Sequence, residues 1–215
     1  MTHSPKPRLL SLRRAAAALA PALLLAGLAA PAAAGPAPEA ATPAPQAPAS
    51  GEAGERANAL DGLFARLKET TDSDEGEGIA RRIEAQWRRS GSAVADLLAS
   101  RAMAASLAGD PALGVHLADQ VIAFRPGWAA AWRQRATLLA QLGDDQRAAA
   151  DLARALALEP RDYQALALLG ALFQRNDDPA GALRAWRRSL EINPHQGELK
   201  ERVEKLAPEV DGRDL

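Results

Sequence analysis

Three prolines, Pro126, Pro160 and Pro194, stand 34 residues apart, and Asp110, Asp144 and Asp178 keep the same interval. A period between 20 and 50 residues marks a repeat array, in which each unit is one supersecondary motif that must stack on its neighbours to bury its apolar face. With Pro at position 32 of each unit, the register gives units at residues 95–128, 129–162 and 163–196. Position 8 is Ala102, Ala136 and Gly170, and position 20 is Gly114, Ala148 and Ala182, small residues that let two helices approach closely. Larger apolar side chains recur at position 4 (Leu98, Trp132, Leu166), position 28 (Ile122, Leu156, Leu190) and position 30 (Phe124, Leu158, Ile192), where they fill the space between helices and between units.

The units read as helix pairs. Aromatic residues are 4% of the chain, and Ala and Leu, both strong helix formers, supply most of the apolar share, which favours an all-α fold without a sheet. Asp110-Pro111 and Asp178-Pro179 place an acidic N-cap before Pro at the first helical position, while Gly109 and Gly143 end the preceding helices. Downstream, Leu199, Val203 and Leu206 line one side of a charged segment that predicts a capping helix in residues 197–215, stopped by Pro208. Upstream, the same register places Phe64, Leu67 and Ala80 at positions 4, 7 and 20. It predicts a degenerate helix pair in residues 59–94, with helices near 59–69 and 78–90 and a polar loop over 70–78.

The N-terminal sixty residues differ in kind. Lys6, Arg8, Arg13 and Arg14 precede an apolar run at residues 15–30, and Ala32-Ala33-Ala34 supplies small residues before Gly35. That order is the signature of a secretory signal peptide spanning residues 1–34. The run contains Pro21 and Gly27 and falls short of the roughly 20 residues of a spanning helix. Residues 35–58, rich in Pro and Ala, read as a disordered linker, and retention of the run as a membrane anchor is the alternative to cleavage. The expected location is the periplasm, with no membrane contact after cleavage. Without the four leader cations the net charge is about −5, which excludes the basic surface that nucleic acid requires.

No catalytic constellation is present. Residues 72–78 do not fit a calcium loop, because the sixth and twelfth positions counted from Asp72 are Glu77 and Ile83 rather than Gly and Glu. His116 and His195 lie in different units without metal-ligand spacing, and the chain has no Cys. The reading is a non-enzyme without cofactor or metal. Trp132 and Trp186 occupy core positions; Trp87 and Trp128 lie at unit edges.

Small residues at positions 8 and 20, large apolar ones at 4, 11 and 24, and Pro at 32 of a 34-residue pair resemble the tetratricopeptide repeat (TPR) family. The third unit carries the pattern most fully, with Leu166, Leu169, Gly170, Phe173, Ala182, Trp186 and Pro194; Arg101 and Arg135 depart from it at position 7. The resemblance implies an all-α, right-handed superhelical array of antiparallel helix pairs with a C-terminal capping helix. It also implies a concave groove lined by the first helix of each pair, here Met103, Arg133, Gln134, Thr137, Gln141, Gln164, Ala171, Gln174 and Arg175. Such a groove binds a protein or peptide segment. The family's chaperone-binding clamp of Lys and Asn is absent, since Thr137 stands where Asn is wanted and no Lys lies between Lys68 and Lys200.

Overall fold

A computed structural model describes residues 50–212, with side chains from Gly54 onward. The signal-peptide reading and the linker up to residue 49 lie outside these residues. Among the described residues there are nine helices and no strand. In order they are α1 (Ser50–Glu69), α2 (Ser73–Trp87), α3 (Ala93–Leu107), α4 (Pro111–Phe124), α5 (Ala129–Gln141), α6 (Asp145–Leu158), α7 (Tyr163–Arg175), α8 (Pro179–Ile192) and α9 (Gly197–Asp211). None of them is long and apolar enough to cross a membrane.

Caps set most helix boundaries. Asp110, Asp144, Asp162 and Asp178 each accept a bond from the backbone N–H three residues on, opening α4, α6, α7 and α8. Gly109 and Gly143 take φ of +84° and +77° after α3 and α5, a left-handed conformation that only Gly adopts without strain. Three sequence-based boundaries are corrected. Helix α1 includes Ser50 onward, so the last part of the expected 35–58 linker is helix: Pro48 is the last proline of that stretch, and Ala, Glu and Arg follow it. The expected 70–78 loop is short, because Asp72 caps α2 by accepting from Glu75 N–H at 2.9 Å. Finally, Pro208 lies inside α9 rather than ending it. It forfeits one backbone bond, while Ala207 and Val210 pack on the core cluster shared by α8 and α9 and Arg187 pairs with Asp211 at 2.6 Å to hold the last turn.

Helices α3 with α4, α5 with α6, and α7 with α8 pack as antiparallel pairs, and α9 closes the end against α8. α3 nears α5 and α5 nears α7, more closely than the second helices near one another, so the first helices line the inner face. The small positions do the work expected of them. A Cβ on Gly114 would stand 2.8 Å from Leu138 Cδ2, and one on Gly170 would collide with the Trp186 indole, whose Nε1 donates to Ala167 O at 3.0 Å. Gly170→Ala is therefore expected to destabilise by about 1–3 kcal/mol through overpacking, against its gain in helix propensity. Gly62→Ala, where an added Cβ meets nothing within 4 Å, is expected to stabilise by about 0.5–1 kcal/mol. Urea unfolding of the two variants checks the opposite signs.

The pair α1–α2 does not continue the array. α4 stacks on α5, but α2 has no such seat on α3. Positions 24 and 28, which are Ala118, Leu152 and Trp186, and Ile122, Leu156 and Leu190 in the three units, are Glu84 in α2 and Arg88 at its C-cap. Burying that pair against α3 would desolvate both charges. The apolar stripe of α2 is instead Ile79, Ala80, Ile83 and Trp87, and with Leu63, Phe64 and Leu67 of α1 it closes on Tyr163, the first residue of α7. The hairpin thus lies along the loops that join successive units. One result is that position 3, buried as Ala131 and Ala165, is Leu97 at 52% exposure in the first unit.

Candidate functional site

The seam between hairpin and array is built from side chains that the repeat pattern leaves unassigned. Trp87 packs between Phe64 and Tyr163, with ring centroids 5.9 and 5.3 Å away. Tyr163 donates its hydroxyl to Glu84 Oε1 at 3.1 Å, and both burial and the Glu84 carboxylate push its phenol well above the ordinary range. Arg161 pairs with Asp61 at 2.6 Å and lies over the Phe64 ring at 4.4 Å. At the far end, His195 Nε2 meets Leu67 O at 3.2 Å, and Gly76 faces the His195 ring so closely that no Cβ fits. At the near end, Trp128 Nε1 donates to Trp87 O at 2.8 Å and Arg125 to Ser90 O at 2.5 Å. The Trp87 Nε1 itself is buried without an acceptor among the described residues.

Beside this seam, α2, α3, α5 and the start of α7 enclose a groove of about 450 Å³. Its floor is Ala99, Met103, Trp128 and Ala130; its polar lining is Ser100, Gln134, Thr137 and Gln164; Glu84, Arg88 and Arg133 supply the charge. Met103 is 46% exposed there. Five residues expected in the groove from sequence, Met103, Arg133, Gln134, Thr137 and Gln164, come together in it. The others do not join them. Gln141 accepts from Ser106 Oγ at 2.7 Å and ties α5 to α3. Ala171 lines a separate depression of about 370 Å³ between α7, α8 and α9, with Ala167 and Trp186. Gln174 and Arg175 are exposed at the end of α7, where Arg175 clasps Asp145 through two nitrogens.

Arg133 is more a structural residue than a free recognition group. Its Nε donates to the buried Asp162 at 2.7 Å, and its Nη1 donates to Gln164. Burial pushes the Asp162 carboxyl up, while Arg133 and the Ala165 N–H pull it down. Reversing Arg133 would leave Asp162, 1% exposed, beside a second carboxylate, so such a variant would lose stability as well as any contact with a partner. Glu84, Arg88 and Trp128 are the groove residues that repeat-based reasoning missed. Two of them belong to the hairpin, and the polar character of Glu84 and Arg88 at positions 24 and 28 was the available signal. His116 pairs with Gln120 at 3.1 Å, and among the described residues no three His, Asp or Glu side chains converge to hold a metal.

An all-α array of stacked helix pairs with a walled inner groove defines a helical-repeat scaffold. No family model matches the chain. A TPR repeat-containing protein of Rhizobium etli is 33% identical over 153 residues, spanning 71% of this chain and 75% of the relative. The chain belongs to the tetratricopeptide repeat family. Solved structures share the fold: the first TPR of Spaghetti (RPAP3), bound to the HSP90 peptide SRMEEVD, has a TM-score of 0.52 at 19% identity, covering 54% of this chain and 93% of that one. The Yersinia enterocolitica type III secretion chaperone SycD, in complex with a peptide of the translocator YopD, has a TM-score of 0.53 at 12% identity over 58% of this chain and 97% of that one. MamA has a TM-score of 0.50 at 18% identity, covering 74% and 84%.

Proposed function

We propose that the protein is a non-catalytic interaction module of the bacterial cell envelope, exported across the inner membrane to the periplasm, which binds a peptide or protein segment in the groove between α2, α3 and α5. The groove carries this reading: an accessible apolar floor is rimmed by amides and hydroxyls, the combination that suits an extended chain read by main-chain hydrogen bonds and shallow side-chain contacts. Membership of a family with peptide-bound members agrees with it. The basic, apolar and small-residue order of residues 1–34 supports export.

Met103→Lys is expected to weaken capture of a crosslinked envelope partner at least tenfold. Because Met103 is an exposed groove residue, the unfolding free energy should shift by no more than about 0.5 kcal/mol. Unchanged capture by this variant would remove the groove from the reading. For the location, mass spectrometry of the mature chain is expected to give an N-terminus at Gly35; recovery of intact Met1 from the membrane fraction would favour the anchored form.

A further inference from the structure

We infer that the α1–α2 hairpin is half of the partner site, so that its docking on the inter-unit loops and the capture of a peptide form one coupled equilibrium; this rests on the groove being the partner site. The hairpin supplies Glu84 and Arg88 as one wall, opposite α3 and α5. Three groove residues also hold the seam. Trp128 donates to Trp87 O, Arg133 lies over the Trp87 ring at 5.9 Å, and Glu84 accepts the Tyr163 hydroxyl. Whatever orders these side chains from the groove side therefore tightens the seam, and the reverse holds by linkage.

The docked hairpin builds the groove without plugging it. About 450 Å³ stays open with Met103 accessible on the floor. The seat is shaped for this one position, since Gly76 clears the His195 ring only because it lacks a Cβ. The wall also indicates the ligand. Arg133 is matched by Asp162, whereas the Arg88 guanidinium is 66% exposed and stands 3.9 Å from Glu84, beyond hydrogen-bond range. The occupant is a short extended peptide with an apolar side chain against Ala99, Met103 and Trp128 and a carboxylate facing Arg88.

The natural sequence has no Cys, so Gly76→Cys with His195→Cys in the full chain gives one possible disulfide. A Cβ at 76 would overlap the His195 ring, which brings the two Cβ atoms within the roughly 4 Å that a disulfide spans. Seven-residue random peptides displayed on phage are panned on the oxidised, locked chain, and the dissociation constants of the selected peptides are then measured by fluorescence anisotropy. The locked chain is expected to bind them at least as tightly as the natural chain. Gly76→Arg, which forces the hairpin off His195, should bind at least tenfold more weakly, as should Arg88→Glu, an exposed substitution that leaves the seam intact. Equal or tighter binding by Gly76→Arg, or unchanged binding by Arg88→Glu, overturns the composite site; if Gly76→Arg does not fold, Arg88→Glu decides. Binding that falls with Met103→Lys but ignores both hairpin variants leaves the groove standing and removes the hairpin from it. Binding indifferent to all three, or a library without binders, removes both.

Discussion

Tyr163→Ala is expected to release the α1–α2 hairpin while α3 to α9 remain folded. The side chain is 2% exposed and is the buried residue that the three main units contribute to the hairpin's core cluster, with Ile192 of α8 packed against it. Removing a buried aromatic of this size costs about 3–5 kcal/mol. Much of that loss should fall on the hairpin, since Tyr163 is the opening residue of α7 and its ring packs on Trp87 at 5.3 Å within the cluster that holds Ile83 and Phe64. Hydrogen exchange is the measurement. Amides of α2 should lose protection at free energies well below those of α5 and α7, as a separately opening unit. Tyr163→Phe, which loses only the bonds to Glu84 and Ala80 O, should cost about 1 kcal/mol and keep the hairpin docked. Equal loss of protection in α2 and α7 for the Ala variant would show that the hairpin is not a separable element.

Arg135→Ala is expected to be as damaging by a different route. Arg135 replaces the apolar residue usual at position 7 and binds the buried Asp151 through two nitrogens at 2.7 Å, with Asp119 of α4 at 2.6 Å. It joins the second helices of two units through one first helix. Its guanidinium also lies 5.1 Å from the centre of the Trp132 ring, and the paired carboxylates push its pKa further above an already high value. Truncation leaves Asp151, 5% exposed, as an uncompensated charge, a loss of about 3–5 kcal/mol. The double variant Arg135→Leu with Asp151→Leu should recover most of it, because a buried ion pair replaced by well-packed apolar groups is often neutral. Chemical denaturation of the single and double variants distinguishes these outcomes; a double variant no better than Arg135→Ala would mean that the ion pair contributes net stability.

The array was legible in the sequence because its cause is local and periodic. Pro126, Pro160 and Pro194 mark it, Gly114 and Gly170 sit where Leu138 and Trp186 approach, and the capping aspartates announce each second helix. What was not legible depends on partners far away in the chain. Arg133 and Arg175 look like groove cations until Asp162 and Asp145, 29 and 30 residues distant, are seen to hold them. The hairpin posed the same difficulty in stronger form. Phe64, Leu67 and Ala80 fit the register, yet side-chain charge at Glu84 and Arg88 forbids the stacking that the register implies. The true seat involves Tyr163, Arg161 and His195, none of which belongs to the repeat pattern.

A stack of repeats in which each unit touches only its neighbours frays from its ends and folds through short-range contacts. Here His195 meets Leu67 across 128 residues and Arg161 meets Asp61 across 100. A hairpin resting on the two inter-unit loops and on the loop that joins the third unit to α9 turns that line of neighbours into a ring, in which fraying the C-terminal end also costs contacts made by the N-terminal helices. The protein should therefore melt more sharply than an open array of equal length. It should also reach its native state more slowly, since docking the hairpin closes contacts across 100 and 128 residues.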